Sequence, residues 1–316
     1  MVKKLAIFSL AVAAALSCGQ RQDGGFHPRP FPQASVPAMV TDRTEAASFF
    51  AEHFWDEFTD TTQLYFCDSS TVNGVKLTDV EQAFANYLAF LGMVDIGEAS
   101  SSMARLFSQV SAMEAKDTAS NVFETISRLA RFYLYDPNSP YRDEDIYYPF
   151  VDGLASSVFV PDAERTAYGY DARMCSLNRK GTRAADFAFC DKDGRRYTLY
   201  GIKADYTILF FSNPGCKACK EIMDALDSYG KVKEYIGSGR LAVLNIYIDE
   251  DMTEWYRYMP DYPDDWYNGY DPNYIIRSEI LYNVRAIPSL YLLDRDKTVL
   301  MKDVPQEKLF QWLSGV

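Results

Sequence analysis

The sequence predicts an α/β domain over residues 179–316, a central mixed sheet flanked by helices, preceded by an all-α helical domain over residues 41–178. Three observations predict this arrangement. Apolar side chains recur at helical spacing in the first region, and short apolar runs alternate with helical segments in the second. Within the second region, the apolar run Ile208–Phe211 leads through a turn into two cysteines that begin a helical pattern.

The helical domain has apolar residues at every third or fourth position in four stretches, and further helices are predicted around 144–158 and 162–178. The second stretch opens with Thr78 and Glu81, which are spaced as a capping box. Such stripes are typical of helices that face a bundle core, and no pattern in this domain indicates chemistry. The stretches begin at Ala46, Val80, Met103 and Val122.

The α/β domain follows a junction over Asn178–Arg183. Strands are indicated by short apolar runs between turn signals such as Asp191–Gly194. Continuous apolar runs predict central parallel strands that are covered on both faces. The predicted elements are a hairpin over 185–199, parallel strands over 208–211 and 241–248, a closing hairpin over 289–301 and a last helix after Val304–Pro305.

The two cysteines of the segment Cys216–Cys219, C-K-A-C, begin the helix that follows the first central strand. With two residues between them in a first helical turn, their sulfurs can come within bonding distance. The unpaired N–H groups and the positive dipole end of that helix favour a thiolate at Cys216. The sequence therefore predicts a redox dithiol in which Cys216 has a lowered pKa and attacks a disulfide, and Cys219 resolves the mixed disulfide.

Charged residues near the cysteines act in both directions. Lys217 and Lys220 add positive charge, which favours a thiolate. Glu221 and Asp224 lie four residues later on the same helix, where they are expected to pair with the lysines. Such pairs would offset part of the effect of the lysines on Cys216.

Two other interpretations of the motif are less favoured. A zinc site needs two further ligands at suitable spacing, and the sequence has no second C-x-x-C and only two histidines, His27 and His53, both far away in sequence. A structural disulfide across so short a loop would stabilise the fold little. No metal and no cofactor are therefore predicted.

A second element is Pro288, directly before the apolar run Ser289–Leu293. C-K-A-C after a hydrophobic strand, with A-I-P-S-L-Y-L-L-D before a terminal hairpin, resembles the thioredoxin fold. Over roughly residues 180–316 the chain is similar to the TlpA/ResA-like thiol–disulfide oxidoreductases, the membrane-tethered, envelope-facing branch. The resemblance implies that the Ile287–Pro288 peptide bond is cis and beside Cys216, and that the backbone of Ile287 binds an extended substrate segment.

The chain departs from the thioredoxin pattern at two positions. Gly215 stands where thioredoxins usually carry Trp at or near the first cysteine, and Ile208–Phe211 holds no counterpart of their buried acid. Glu221 is the nearest acid in sequence, but its position does not match a catalytic acid of the family. The helical domain, for its part, resembles a helical region of unknown function in some bacterial lipoproteins.

The N-terminus is predicted to be a lipoprotein signal peptide over residues 1–17. Two lysines precede the apolar run Leu5–Leu16, which is too short for an ordinary spanning helix. The run ends beside Cys18, which would become the lipidated first residue; a plain secretory signal cut nearby is the alternative. Residues 18–40, rich in Gly, Pro and Gln, are predicted to be a flexible tether to the membrane.

Export predicts a location in the cell envelope, facing the periplasm, where disulfides persist. The net charge of −12 argues against nucleic acid as a partner.

Of six cysteines, Cys67, Cys175 and Cys190 belong to neither motif. Because three is an odd number, at least one is free or pairs between molecules; a Cys67–Cys175 disulfide is one option, and buried thiols are the other.

The connection between Asp249 and Tyr282 is unusually long and rich in Trp and Tyr. It leads to the Ile287–Pro288 turn, so it could form a wall that contacts substrate over the active site. The alternative is a pair of short helices whose aromatic side chains pack onto the sheet or the helical domain. The second interpretation is slightly favoured, since aromatic side chains more often fill cores.

The predicted function is an envelope-anchored thiol–disulfide oxidoreductase, a disulfide reductase that acts on exported proteins and receives electrons from an upstream dithiol donor. One alternative is a thiol peroxidase on the same fold, although Asn213 stands where peroxiredoxins carry Thr or Ser. The other is a lipoprotein that binds a partner through its helical domain, with the dithiol secondary.

Overall fold

The structure, a computed structural model, describes residues 27–65 and 67–315. The predicted signal peptide over 1–17, the predicted lipidation residue Cys18 and the first part of the tether lie outside these residues. Within the described part of the chain, no helix is both long enough and apolar enough to cross a membrane.

The N-terminal region is helical, as predicted, and its helices enclose one apolar core. A two-stranded hairpin, which the helical spacing did not predict, turns at Asn73 and Gly74, both with positive φ. Asn-Gly is the residue pair that such tight hairpin turns favour. The elements are α1 (Arg43–His53), β1 (Thr71–Val72), β2 (Val75–Lys76), α2 (Leu77–Leu91), α3 (Ile96–Lys116), α4 (Val122–Leu134), α5 (Glu144–Ser156) and α6 (Asp162–Cys175).

Two predictions for this region are wrong in detail. Thr78 and Glu81 form no capping box, because Lys76 occupies the N-cap of α2 and no side chain caps that helix. The tether predicted over 18–40 is not flexible throughout. Phe31 packs within the helical core and is 9% exposed, because an aromatic side chain gains more from burial than an extended linker loses in freedom.

The C-terminal region is the predicted mixed sheet flanked by helices. Among the described residues its sheet has seven strands in the order β4-β3-β7-β6-β5-β8-β9, with β5, β6 and β7 parallel to one another. Its elements are β3 (Ala188–Cys190), β4 (Arg196–Thr198), β5 (Tyr206–Phe211), α7 (Lys217–Ser228), α8 (Gly230–Gly237), β6 (Leu241–Tyr247), α9 (Met252–Tyr258), β7 (Tyr267–Tyr270), α10 (Ile275–Ser278), β8 (Ser289–Asp294), β9 (Val299–Met301) and α11 (Gln306–Gly315).

The strands bury side chains on both faces of the sheet. Ile208 and Phe210 of β5 pack in one apolar cluster with α7, α8 and α11, whereas Leu209 and Phe211 pack in a second cluster on the opposite face. This alternation follows from the two-residue period of a strand. We place the boundary between the two domains at residues 178–179, as a proposal, because the helical core ends at Cys175 and the sheet clusters begin later in the chain.

Candidate active site

Cys216 occupies the N-cap of α7, just after the turn that leaves β5. Gly215 before it has a φ of +71°, in the left-handed region that favours glycine. The Sγ atom of Cys216 accepts a hydrogen bond from the backbone N–H of Cys219 at 3.2 Å. An N–H group at the helix start therefore points at this sulfur, which is the contact that the predicted thiolate requires.

Cys216 and Cys219 form a disulfide, with their Cα atoms 5.2 Å apart. Cys216 is half-buried, whereas Cys219 is only 4% exposed and packs in the cluster beneath α7. Cys216 is therefore the more accessible of the two sulfurs. These positions suit the roles predicted from the sequence, an attacking Cys216 and a resolving Cys219, which stay predictions.

The charged residues on α7 pair as their spacing predicts. Lys217 Nζ lies 3.7 Å from Glu221 Oε1, and Lys220 Nζ lies 2.9 Å from Asp224 Oδ1. The hydrogen bond from Lys220 to Asp224 raises the pKa of this lysine. All four side chains are exposed, so water screens their effect on the disulfide.

The Ile287–Pro288 peptide bond is cis. The next residue, Ser289, begins β8 and is paired with Phe211 at the end of β5. Because the cysteines follow β5 and the prolyl turn precedes β8, both lie at the same edge of the sheet. Ile287 and Cys216 also pack against the same apolar cluster. The structure therefore brings the predicted dithiol and the predicted substrate-binding turn together at this edge.

Neutral polar side chains, which sequence reasoning missed, lie beside the end of β5 on three neighbouring segments, Ser212 after β5, Asn245 in β6 and Asn268 in β7. The hydroxyl of Ser212 donates to Asn245 Oδ1, and Asn245 Nδ2 donates to Asn268 Oδ1 at 3.1 Å. Ser212 and Asn245 are 3% and 2% exposed. The available signal was Asn245 itself, the polar residue within the apolar run 241–248. Strand β5 holds no acidic residue, and the polar side chains beside it are two amides and a hydroxyl.

The aromatic connection between Asp249 and Tyr282 mostly packs onto the sheet. Trp255, Tyr262 and Trp266 are buried in the cluster that also contains Cys219. The two predicted short helices are α9 and α10, but the segment between them also contributes β7, a parallel strand of the sheet that was not predicted. The favoured interpretation, packing rather than an open wall, therefore describes most of these residues.

Five charged residues, three of them buried and two half-buried, lie behind the prolyl turn. We call them the buried charge cluster: Glu144, Lys302 and Asp303 are buried, and Arg142 and Arg285 are half-buried. Glu144, at the start of α5, lies at its centre. Its Oε1 atom is 3.0 Å from Arg285 Nε and its Oε2 atom is 2.8 Å from Lys302 Nζ. The side chains of Glu144 and Lys302 are each 1% exposed. The helical domain therefore supplies the central anion for two cations of the C-terminal domain.

The cluster also holds the residue that follows the prolyl turn. The hydroxyl of Ser289 donates to Asp303 Oδ1 at 2.7 Å, and Asp303 Oδ2 accepts from Arg285 Nη2 at 3.2 Å. Burial raises the pKa of both Glu144 and Asp303, against the opposing effect of the neighbouring cations. Sequence reasoning missed this cluster because its members are remote in the chain: Arg142 and Asp303 are 161 residues apart.

The remaining cysteines are free in the structure. Cys175 is buried, and Cys67 and Cys190 are half-buried. The Cys67–Cys175 disulfide considered from the sequence is therefore wrong, and the alternative, that all three thiols are buried, is correct for Cys175 only. Burial raises the pKa of the Cys175 thiol well above its usual range.

Across residues 27–65 and 67–315, no group of three or more His, Cys, Asp or Glu side chains is arranged to hold a metal ion.

Residues 9–178 match the family described as "Domain of unknown function (DUF5106)". The chain matches no curated protein. It is similar along most of its length to the crystal structure of a thioredoxin-like protein from Bacteroides caccae, with 31% identity, 91% of this chain and 99% of that chain covered, and a TM-score of 0.78.

Two further solved structures match less than half of the chain. The first is the C-terminal domain of an uncharacterized protein from Bacteroides fragilis, with 43% sequence identity and a TM-score of 0.42. The match covers 43% of this chain and 98% of that chain. A putative thiol:disulfide interchange protein from Chlorobium tepidum is 25% identical, with 44% of this chain and 98% of that chain covered and a TM-score of 0.38.

Proposed function

The chain belongs to the DUF5106 family, and we propose that it is a thiol–disulfide oxidoreductase that reduces disulfides of exported proteins through Cys216 and Cys219. The observation that carries the proposal is the asymmetry of the pair. Cys216 is accessible at a helix N-cap, its bonded partner Cys219 is buried, and the cis-prolyl turn lies at the same edge of the sheet. This combination suits a sulfur that must meet another protein.

The reaction proceeds by two thiol–disulfide exchanges. In the reduced enzyme, the Cys216 thiolate attacks one sulfur of a substrate disulfide, forms a mixed disulfide and releases the other substrate sulfur as a thiolate that takes up a proton. Cys219 then loses its proton and attacks the sulfur of Cys216, which releases the second substrate thiol. Two electrons pass to the substrate with two protons, one from Cys219 and one from water, and the enzyme keeps the disulfide. An upstream dithiol donor reduces it again by the reverse exchanges.

The turn at Ile287 and Pro288 would hold the substrate. Both residues are half-buried, and Ala286 before them is exposed, so the backbone here is open to an extended segment of another chain. Backbone hydrogen bonds to such a segment are independent of its side chains. A site of this kind accepts disulfides from proteins of differing sequence.

The first experiment measures insulin reduction with a dithiol as electron source. We expect the wild type to reduce insulin, the variant Cys216→Ser to fall to the uncatalysed rate, and Cys190→Ser to keep wild-type activity, because Cys190 lies on β3 outside the dithiol. An inactive wild type, or activity that survives in Cys216→Ser, would overturn the proposal.

The direction of electron flow is tested by the reduction potential of the pair. A reductase requires a potential below that of its substrates, and about 30 mV corresponds to a tenfold change in the equilibrium of this two-electron exchange. Equilibration with glutathione followed by quantification of the Cys216–Cys219 disulfide gives this potential. A value as oxidising as that of disulfide-forming catalysts would reverse the assigned direction.

We also propose that the chain is exported and anchored in the cell envelope by a lipid on Cys18. The support is the sequence alone: a short apolar run after two lysines and before small residues at Cys18. Growth with an alkyne fatty acid should label the wild type and leave a Cys18→Ser variant unlabelled. Equal labelling of both proteins would exclude this anchor.

A further inference from the structure

We propose that the helical domain holds the prolyl turn of the C-terminal domain in the arrangement that binds polypeptide disulfides, with Arg142 and Glu144 as positioning residues. Both belong to the part of the chain that matches the domain of unknown function. Both act through residues of the C-terminal domain that flank the turn. The proposal rests on the proposed function, because Ile287 and Pro288 are there the residues that hold an extended substrate segment.

Glu144 contacts the segment that leads into the turn. Asn283 Nδ2 donates to Glu144 Oε1 at 2.6 Å, and the same oxygen lies 3.0 Å from Arg285 Nε. Asn283 and Glu144 are 7% and 2% exposed, so their hydrogen bond is shielded from water. Two side chains shortly before Pro288 are therefore held by one carboxylate of the helical domain.

Arg142 contacts the residue that fixes the other flank of the turn. Its Nε atom donates to the backbone carbonyl oxygen of Asp303 at 2.9 Å. Asp303 has a φ of +43°, a left-handed conformation that is uncommon for residues other than glycine, so a hydrogen bond to its carbonyl helps to hold it there. The Asp303 carboxylate accepts from the hydroxyl of Ser289, directly after Pro288, at 2.7 Å. The helical domain therefore acts on both flanks of the turn.

Arg285 joins the two flanks to each other. Its Nη2 atom donates to Asp303 Oδ2 at 3.2 Å, while its Nε atom faces Glu144. Its guanidinium carbon lies 4.1 Å from the ring centroid of Tyr135, at the end of α4, where a cation–π contact adds to the restraint. Between these anchors the chain is open, since Ala286 is exposed. A backbone fixed at both ends and accessible between them is suited to pair with an extended segment at little entropic cost.

Docking of the two domains alone does not account for these contacts. Lys180 Nζ of the C-terminal domain donates to Asp143 Oδ2 of the helical domain at 2.6 Å, and neither side chain bonds to residues 283–289 of the described chain. Stability alone does not require charges at a buried contact, since packed apolar side chains in their place are often neutral or stabilising. Charged hydrogen-bonding groups do fix distances and directions. Their convergence on both flanks of one turn therefore favours positioning.

The kinetics of the full mature chain with two disulfides of different size test the proposal. A peptide disulfide in an extended segment requires the turn, whereas dithiobis(nitrobenzoate) requires only an accessible Cys216. We expect Arg142→Gln and Glu144→Gln to raise the KM for the peptide about tenfold with little change in kcat, and to leave the reaction with the small disulfide unchanged. Lys180→Gln breaks a contact between the domains away from the turn and should change neither reaction. Urea unfolding verifies that each variant is folded in the assay.

Binding of the same peptide with serine in place of its cysteines, measured by NMR titration, gives a readout without redox chemistry. Its Kd should rise about tenfold in Arg142→Gln, the variant expected to fold most readily, and stay unchanged in Lys180→Gln. A wild type that binds this peptide but reduces no disulfide would overturn the reductase and leave the positioning. A wild type that does not bind it, unchanged KM and Kd in the cluster variants, equal loss of both reactions, or an equal rise of KM in Lys180→Gln would overturn the positioning.

Discussion

The dithiol and the buried charge cluster lie near the same prolyl turn but are built in opposite ways. Cys216 and Cys219 are separated by two residues, and one sulfur is accessible. The cluster joins residues up to 161 positions apart, and its central pair, Glu144 and Lys302, is almost completely buried. The comparison teaches that the proposed reactive pair is formed by residues close in sequence and is partly accessible, while the cluster beside the prolyl turn joins residues of both domains and is mostly buried.

The largest effect on stability should come from the centre of the cluster. Glu144→Gln leaves Arg285 and Lys302 without their shared anion, and breaking a buried ion pair costs about 3–5 kcal/mol. We expect the urea midpoint to fall with little change in slope. Glu57→Gln, at an exposed position of the same domain, is the control and should change stability by less than about 0.5 kcal/mol.

If Glu144→Gln and Glu57→Gln had the same stability, the cluster would not join the two domains energetically. Folded Glu144→Gln protein should still form the Cys216–Cys219 disulfide, because the helix start that favours it is local. Loss of that disulfide in a protein that stays folded would also remove the contrast between the two regions.

A smaller effect is expected where the cluster meets the prolyl turn. Ser289→Ala removes the hydroxyl that donates to Asp303 Oδ1 and leaves a buried carboxylate oxygen unpaired, which costs about 1–3 kcal/mol. Because Ser289 follows Pro288 directly, the rate of insulin reduction should also fall. Ser278→Ala, an exposed position on α10, should affect neither quantity. Unchanged rate and unchanged stability in Ser289→Ala would show that the cluster does not position the turn.

The rate of alkylation in the native state should distinguish the Cys216 thiol from the buried Cys175 thiol. Burial raises the pKa of Cys175, so its thiol stays protonated when the pH rises from 7 to 9, and iodoacetamide should modify it only after unfolding. Cys216 of the reduced protein should react in the native state. Mass spectrometry of peptides from native and urea-treated samples checks both expectations. Rapid native labelling of Cys175 would contradict the burial of this residue.

The smallest effect is expected from the exposed ion pairs on α7. Lys220→Ala and Asp224→Ala each remove the same solvent-exposed ion pair, and such pairs contribute little to stability. The unfolding midpoint and the rate of insulin reduction should both stay within error of the wild type. A clear loss of rate in Lys220→Ala alone would show that this lysine, despite its pairing, acts on Cys216.

Local patterns predicted the fold class, most helices and the position of the dithiol, because periodicity and strand signals depend on residues close in sequence. The tight hairpin at Asn73 and Gly74 was missed although Asn-Gly is a strong signal for it. The strand β7 was missed because its four residues, Tyr267–Tyr270, show no apolar alternation. Its place in the sheet depends on pairing with β6 and β3.

The buried charge cluster could not be predicted, because nothing in the sequence near Glu144 indicates Arg285 or Lys302 as its partner. Charged residues in a sequence usually indicate exposed positions. Only the packing of α5 against the segment around the prolyl turn brings these charges together. Cys18 lies outside the described residues, so its lipidation stays a prediction from the sequence.

The central claim, that Cys216 is the sulfur that meets other proteins, is tested most directly by trapping a mixed disulfide. Reduced Cys219→Ala protein lacks the resolving thiol, so on mixing with a disulfide-bonded protein it should accumulate an adduct whose linking peptide contains Cys216. Reduced Cys216→Ala protein should accumulate none. No adduct with Cys219→Ala, or an equal adduct through Cys219 in Cys216→Ala, would contradict the assignment.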